Sequence, residues 1–128
     1  MNRIKGKIVL VTGATAGIGE ATARTFASFG ADLILCARRR ERLEALRSEL
    51  EEAHQISVLI RELDVRNRED VETFAAELEA EERVPDVLVN NAGKALGLGL
   101  FHEGLVEDWE EMIDTNVKGL LYLSLIHI

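Results

Sequence analysis

The sequence has few of the residues that mark disulfide-rich, membrane-spanning or nucleic-acid-binding proteins. Its single cysteine, Cys36, excludes an internal disulfide framework and is typical of a reducing compartment such as the cytoplasm. No apolar run approaches the ~20 residues that a membrane-spanning helix needs. The 15 Lys and Arg residues against 23 Asp and Glu residues give a formal charge of −8. This charge disfavours nucleic-acid and anionic-membrane partners, so we expect a cytoplasmic protein without either.

What the 128 residues do contain is the composition of one globular domain. Hydrophobic residues make up 47% of the chain and charged residues 30%, a balance that argues against disorder. The length leaves room for one domain, spanning residues 1–128, and for no second one. The three histidines, His54, His102 and His127, lack metal-ligand spacing, so the sequence predicts no metal site.

Four short apolar blocks recur at intervals of about 25–30 residues, which is the length of a βαβ unit. They are residues 8–11, 33–36, 58–60 and 87–89. None alternates between apolar and polar residues, which is typical of strands buried on both faces of a parallel sheet. The pattern predicts an α/β fold, a Rossmann-type doubly wound parallel sheet that is truncated after about four strands and a fourth helix.

Helical patterns lie between the blocks. The expected buried faces are Ile18, Ala21, Thr22, Phe26 and Phe29 for the first helix; Leu43, Leu46 and Leu50 for the second; and Val71, Phe74, Ala75 and Leu78 for the third. The first helix is expected to end at Gly30, and Pro85 follows the end of the third. A fourth helical stretch begins near Val106.

A glycine-rich segment, residues 12–19 (TGATAGIG), follows the first block directly and opens the first helix. Gly13 permits a tight turn, Gly17 removes a Cβ where a phosphate must approach, and Gly19 allows close packing of helix on strand. Backbone N–H groups and the positive end of the helix dipole favour a pyrophosphate there. The glycine spacing differs from both the Gly-x-Gly-x-x-Gly fingerprint and the Walker A loop. A glycine-rich turn without a ligand is the alternative.

This segment resembles the cofactor loop of the short-chain dehydrogenase/reductase family. Three further segments agree in order and spacing: residues 63–65 (LDV) after the third strand, 90–93 (NNAG) after the fourth, and 114–119 (DTNVKG) in the fourth helix. The resemblance implies the strand order 3-2-1-4. It also implies hydride transfer between a nicotinamide cofactor and a hydroxy or carbonyl group, and a homo-oligomer, dimer or tetramer, in the full-length form.

Within the family, three segments are most similar to bacterial NADP-dependent 3-hydroxy acid dehydrogenases of the serine and allo-threonine type. They are residues 38–43 (RRRERL), 63–68 (LDVRNR) and 107–116 (EDWEEMIDTN). This narrower resemblance implies a small hydroxy acid, or the corresponding carbonyl compound, as the substrate.

The end of the second strand indicates which cofactor is used. An NAD site places an acidic residue there to bind the ribose 2′-hydroxyl group. Here the segment reads Cys36-Ala37-Arg38-Arg39, without an acid. Guanidinium groups offer hydrogen-bond donors to a 2′-phosphate, so the sequence predicts NADP, held by Arg38 and Arg39. The alternative is a basic helix start that meets only solvent.

The remaining cofactor contacts are implied by the resemblance. Asp64 would accept a hydrogen bond from the adenine amino group beside Val65, or would be an ordinary turn residue. Asn91 would fix the neighbouring backbone through its side-chain amide. Ala92 and Gly93, which have little or no side chain, would leave room for the cofactor beside them. The complete set of expected cofactor-binding residues is Gly13, Ala14, Thr15, Ala16, Gly17, Ile18, Gly19, Arg38, Arg39, Asp64, Val65, Asn91, Ala92 and Gly93.

The catalytic residues implied by the resemblance are mostly missing. Asn116, in the fourth helix, would hold a water molecule in a proton relay, or would be an exposed helical Asn. The family's Tyr, with a Lys four residues later, does not occur, since the single tyrosine, Tyr122, is followed at that spacing by Ile126. We therefore expect an N-terminal fragment that is inactive alone, with residues 124–128 departing from the family.

Two other interpretations stay open at this point. One is a nucleotide-binding module that acts without catalysis, as a sensor or an interaction domain. The other is a different Rossmann-type class, such as a methyltransferase, which should carry an acidic residue at the end of the second strand. That position holds Ala37 and Arg38.

Overall fold

The computed structural model describes residues 3–91, in which strands and helices alternate. The elements are β1 (Ile8–Thr12), α1 (Gly17–Ser28), β2 (Asp32–Ala37), α2 (Arg40–His54), β3 (Val58–Glu62), α3 (Arg68–Ala80) and β4 (Val87–Val89). All strand pairs are parallel and the sheet order is β3-β2-β1-β4. This arrangement confirms the Rossmann-type sheet and the strand order implied by the resemblance. The expected fourth helix lies outside the described residues.

The two central strands are buried because helices cover both faces of the sheet. Every residue of β1 and β2 after the first is buried. Val9 and Leu33 contact the cluster formed with α1 and α2, whereas Leu10 and Ile34 contact the cluster formed with α3. The uninterrupted apolar blocks of these strands are therefore confirmed as two-faced core strands. Each of the outer strands, β3 and β4, is less completely buried.

Helix α1 packs on the sheet through small residues, and the face predicted for it is wrong. Its buried residues are Gly19, Ala23 and Ala27, spaced by four. Of the predicted face, Ile18 and Phe29 are 76% and 53% exposed. The other predicted residues, Ala21, Thr22 and Phe26, are exposed or half-buried. Small side chains at this spacing let the helix backbone approach the sheet closely, and they bring its N-terminus to the end of β1.

Helices α2 and α3 bury the faces that the sequence predicts. The buried residues are Leu43, Leu46 and Leu50 in α2 and Val71, Phe74 and Leu78 in α3. Ala75, which was also expected on the buried face of α3, is half-buried. Helix α1 stops just before Gly30, whose φ of +83° suits glycine at a helix end.

The described residues hold neither a helix able to cross a membrane nor a cluster of metal-ligating side chains. Within residues 3–91 every helix is too short or too polar to cross a lipid bilayer. In the same residues, no three His, Cys, Asp or Glu side chains converge as metal ligands would.

Candidate cofactor-binding site

A cleft with a volume of about 380 Å³ opens at the carboxyl end of the sheet. Residues that end or follow β1, β2, β3 and β4 all line it, among them Gly13, Arg38, Asp64 and Asn91. Open α/β sheets bind ligands at this edge, where the connections diverge on either side. The cleft therefore brings together segments that are far apart in the sequence.

The glycine loop leaves backbone open at one position and allows close contact at another. Gly13 and Gly17 have φ values of +62° and +55°, a conformation that disfavours any residue with a Cβ. A Cβ added at Gly17 would meet no atom of the described residues within 4 Å, so the backbone there is accessible. A Cβ added at Gly19 would instead collide with the carbonyl oxygen of Gly13.

The first turn of α1 is uncapped by side chains. Its N-cap residue, Ala16, makes no side-chain capping hydrogen bond, and Thr15 and Ala16 both line the cleft. Ile18, one residue into the helix, is 76% exposed. An uncapped helix N-terminus beside an open glycine backbone is the environment that a phosphate group prefers.

Ala14 anchors the glycine loop to β2 through its backbone. Its side chain is buried, and its N–H group donates a hydrogen bond of 3.2 Å to the carbonyl oxygen of Cys36. The cofactor-binding role of Ala14 stays a prediction from the sequence. In the structure its backbone N–H group is engaged by β2, and this hydrogen bond fixes the position of the loop.

Hydrogen bonds of Thr12 and Asn91 connect the end of β1 to the end of β4. The backbone N–H of Asn91 donates to Thr12 Oγ1 at 2.9 Å, and Thr12 Oγ1 donates to the carbonyl oxygen of Val89 at 3.4 Å. The Asn91 Nδ2 group donates to the carbonyl oxygen of Gly13 at 3.4 Å. Asn91 thus holds the neighbouring backbone, as the resemblance implies. Thr12 received no role from the sequence, although a polar residue closing an apolar strand block was a signal for one.

Arg38 and Arg39 follow β2 directly, are exposed, and line the cleft. Arg39 is the N-cap residue of α2 and makes no side-chain capping bond. Neither arginine forms a salt bridge with a carboxylate of residues 3–91. Arg42, one turn further along, also lines the cleft and was not singled out from the sequence. Its position in the same basic segment was the available signal.

Asp64 lies at the cleft with its carboxylate oriented by Arg66. Asp64 Oδ1 accepts hydrogen bonds of 3.0 Å from the backbone N–H and from the Nε of Arg66, and Oδ2 accepts one of 2.8 Å from Nη2. These bonds lower the pKa of Asp64 below its ordinary range. Val65 is buried beside it and also lines the cleft. Arg66 was not assigned a role from the sequence.

Replacing Arg66 with leucine is expected to raise the pKa of Asp64, because the side-chain hydrogen bonds that lower it are lost. A carboxylate with a lowered pKa stabilises the folded state above the unfolded-state pKa, and this contribution is lost as the pH falls through the folded-state value. The variant should therefore be less stable at neutral pH, with the difference disappearing in acid. NMR titration of the Asp64 carboxyl carbon measures the pKa directly.

Arg68→Leu is the matched control for this prediction. Arg68 pairs with Glu72 at 2.9 Å on the exposed side of α3, away from the cleft. It should leave the titration of Asp64 unchanged. An Asp64 pKa that stays low in the Arg66 variant would contradict the orienting role of Arg66.

Cys36 lies at the floor of the cleft as a core residue. It is 1% exposed, and burial raises the pKa of its thiol to about 12. The thiol is therefore protonated at physiological pH, and its structural role is that of a small apolar side chain.

Three of the expected site residues, Ala92, Gly93 and Asn116, lie outside the described residues. The same holds for Tyr122 and for residues 124–128. Their roles stay predictions from the sequence.

Comparison with known proteins agrees with this geometry. Residues 7–127 match the short chain dehydrogenase family. The chain is 57% identical over 117 residues to the NADP-dependent 3-hydroxy acid dehydrogenase YdfG of Salmonella typhi, which covers 91% of this chain and 46% of that protein.

Solved structures show the same similarity. Serine dehydrogenase from Escherichia coli superposes with a TM-score of 0.84 at 51% identity, covering 94% of this chain and 54% of that one. L-sorbose reductase from Gluconobacter frateurii, complexed with NADPH and L-sorbose, superposes with a TM-score of 0.89 at 31% identity, covering 98% and 47%. The chain thus spans about half the length of the relatives that it matches. It belongs to the short chain dehydrogenase family, as the glycine loop and the segments after β3 and β4 indicate.

Proposed function

We propose that this chain supplies the cofactor-binding half of an NADP-dependent oxidoreductase. The enzyme would transfer a hydride between the nicotinamide ring and a hydroxy or carbonyl group of a small hydroxy acid. The observation that carries the proposal is that residues of the glycine loop, the two arginines after β2 and the Asp64–Val65 segment all line the cleft at the carboxyl end of the sheet. The NADP-dependent dehydrogenase among the relatives, and the reductase solved with NADPH, support this choice of cofactor.

The pyrophosphate and the adenine each have a matching feature in or beside the cleft. The pyrophosphate would lie over Gly17, where the backbone is open and the helix α1 N-terminus is uncapped. The adenine would pack beside Val65, with its amino group donating to the Asp64 carboxylate. The lowered pKa keeps that carboxylate ionised, and therefore an acceptor, at physiological pH.

The preference for NADP over NAD follows from the charges at the end of β2. Cys36, Ala37, Arg38 and Arg39 offer no carboxylate to a ribose 2′-hydroxyl group. A 2′-phosphate would meet two guanidinium groups that form no salt bridge within residues 3–91. The forked donors of arginine match the oxygens of a phosphate.

When bound, the nicotinamide accepts or supplies the hydride. The described residues bind and orient the cofactor, and Asn116 would contribute to a proton relay. The 128 residues contain no Tyr followed four positions later by Lys, so we expect the isolated chain to bind the cofactor without turnover. Ala92 and Gly93, being small, would leave space for the bound cofactor beside them.

Isothermal titration calorimetry of the complete protein tests the cofactor. NADPH should bind at least about a hundredfold more tightly than NADH, which is the difference that two charge-assisted hydrogen bonds can supply. Tighter binding of NADH, or no binding of either nucleotide, would overturn the proposal.

Turnover measurements test the proposed substrate class, for which the only support is the similarity to known relatives. Reduction of NADP⁺, followed by nicotinamide absorbance, should be faster with small 3-hydroxy acids than with secondary alcohols that lack a carboxylate. Tight NADPH binding without turnover of any hydroxy acid would favour a non-catalytic nucleotide-binding module instead.

A further inference from the structure

A second cleft adjoins the cofactor cleft, between helices α1 and α2, with a volume of about 320 Å³. The two clefts share Thr15 and Arg42. Arg42 therefore lies on the boundary between them, in the first turn of α2. The second cleft also holds two carboxylates, Glu20 from α1 and Glu49 from α2.

Both carboxylates of this second cleft are engaged by Arg24. Arg24 Nη1 and Nη2 donate to Glu49 Oε1 and Oε2 at 2.9 and 3.0 Å, a bidentate pair that joins α1 to α2. Arg24 Nε lies 3.6 Å from Glu20 Oε2. The hydrogen bond with Glu49 raises the pKa of Arg24 and lowers the pKa of Glu49. Forked guanidinium–carboxylate pairing is the strongest form of this contact.

Arg42 has no such partner among the residues that the structure describes. No carboxylate of residues 3–91 forms a salt bridge with it, whereas its neighbour Arg40 pairs with Glu44 at 3.1 Å. Glu49 lies about two helical turns after Arg42 on α2, hence on the same side of the helix. Both side chains line the second cleft, so a Glu49 released from Arg24 could turn toward Arg42.

We propose that Arg42 is a third guanidinium for the 2′-phosphate of NADP, and that Arg24 is a positioning residue that keeps Glu49 and Glu20 away from it. This inference rests on the proposed function. Without Arg24, the nearby carboxylates would neutralise Arg42 and repel the phosphate. The α1–α2 ion pair thus becomes a determinant of cofactor choice although Arg24 does not line the cofactor cleft.

The first arm of the test replaces Arg42 with glutamine in the complete protein and measures NADPH and NADH dissociation constants by calorimetry. NADPH affinity should fall about tenfold, the loss expected for one charge-assisted hydrogen bond, while NADH affinity stays the same. Arg47→Gln is the matched control, because Arg47 is on the same helix but lines neither cleft.

The second arm tests Arg24 by rescue. Arg24→Gln should weaken NADPH binding about two- to fivefold, the range of an exposed charge interaction, without weakening NADH binding. Adding Glu49→Gln should restore NADPH affinity, because the released carboxylate is then gone. A purely structural ion pair predicts the opposite, since the double variant would stay impaired for both nucleotides. If Arg24→Gln does not fold, Arg24→Lys keeps the charge, loses the fork, and should show a smaller effect in the same direction.

The outcomes separate this inference from the function on which it rests. An unchanged NADPH-to-NADH ratio in Arg42→Gln would overturn the inference, while tight NADPH binding by the unmodified protein would leave the proposed function intact. If NADPH affinity does not recover in the double variant, the role of Arg24 is overturned but the role of Arg42 is not. Absence of NADPH binding in the unmodified protein would instead overturn the proposed function.

Discussion

Replacing Arg38 and Arg39 together with glutamine is expected to weaken NADPH binding about a hundredfold and to leave NADH binding unchanged. Both arginines are exposed at the cleft and form no salt bridge within residues 3–91, although Arg38 is close enough to Asp64 to lower the pKa of that carboxyl group. Their donors are therefore available to a ligand. A hydrogen bond to a charged group contributes about 1.5–3 kcal/mol, and about 1.4 kcal/mol corresponds to a factor of ten in affinity. Solvent exposure places both contacts at the lower end of that range, which still gives about two powers of ten.

NADH provides the internal comparison, because it lacks only the 2′-phosphate. Calorimetric titrations with both nucleotides at low and moderate salt should show that the salt dependence of NADPH binding shrinks in the double variant. Arg40→Gln is the matched control: Arg40 is the next residue and equally basic, but it pairs with Glu44 and does not line the cleft. Equal losses for NADPH and NADH in the double variant would show that the two arginines support the fold or the adenine pocket instead.

Much of the fold could be predicted because the sheet is parallel and covered on both faces. Strands buried in this way are uninterrupted apolar blocks, and β1 and β2 were recognisable for that reason. The buried leucines of α2 at helical spacing were equally clear. Helix α1 was misread because its contact face is made of glycine and alanine. Counting large apolar residues selects Ile18 and Phe29, which are exposed.

The site was predictable to the extent that its residues directly follow strands. Parallel strands bring their carboxyl ends to one edge, so the glycine loop, Arg38 and Asp64 had to meet there. The sequence marks Thr12 as a polar residue at a strand end but does not indicate its role, and it gives no signal for Arg66, since both roles depend on side-chain hydrogen bonds with particular partners. The partner of Thr12 is the backbone of Asn91, which lies on another strand connection. The basic segment after β2 draws attention to Arg42, but only the structure shows that Arg42 lies between two clefts.

The Gly19→Ala variant is expected to lose about 1–3 kcal/mol of unfolding free energy, because a well-packed contact has no room for a methyl group. The added Cβ would collide with the carbonyl oxygen of Gly13 and would lie 2.6 Å from Asn91 Nδ2. Asn91 donates to that same carbonyl oxygen, and the hydrogen bond from its backbone N–H to Thr12 Oγ1 holds Asn91 in place. The helix must therefore move away from the strand, and the glycine loop must move with it.

Because that movement displaces the proposed pyrophosphate cradle, affinity for NADPH and NADH should fall together in Gly19→Ala, unlike in the Arg38 and Arg39 variant. Urea unfolding measures the stability change and calorimetry the affinities. Gly6→Ala is the matched control: Gly6 has a φ of +78° with no atom of the described residues within 4 Å of an added Cβ. It precedes β1, at the opposite end of the sheet from the cleft, so alanine there should cost about 1–2 kcal/mol of backbone strain with both affinities unchanged. The prediction would be contradicted if Gly19→Ala were as stable as the unmodified protein and bound both nucleotides equally well. In that case α1 could carry a side chain at this contact, and its close approach to β1 would not determine the shape of the pyrophosphate site.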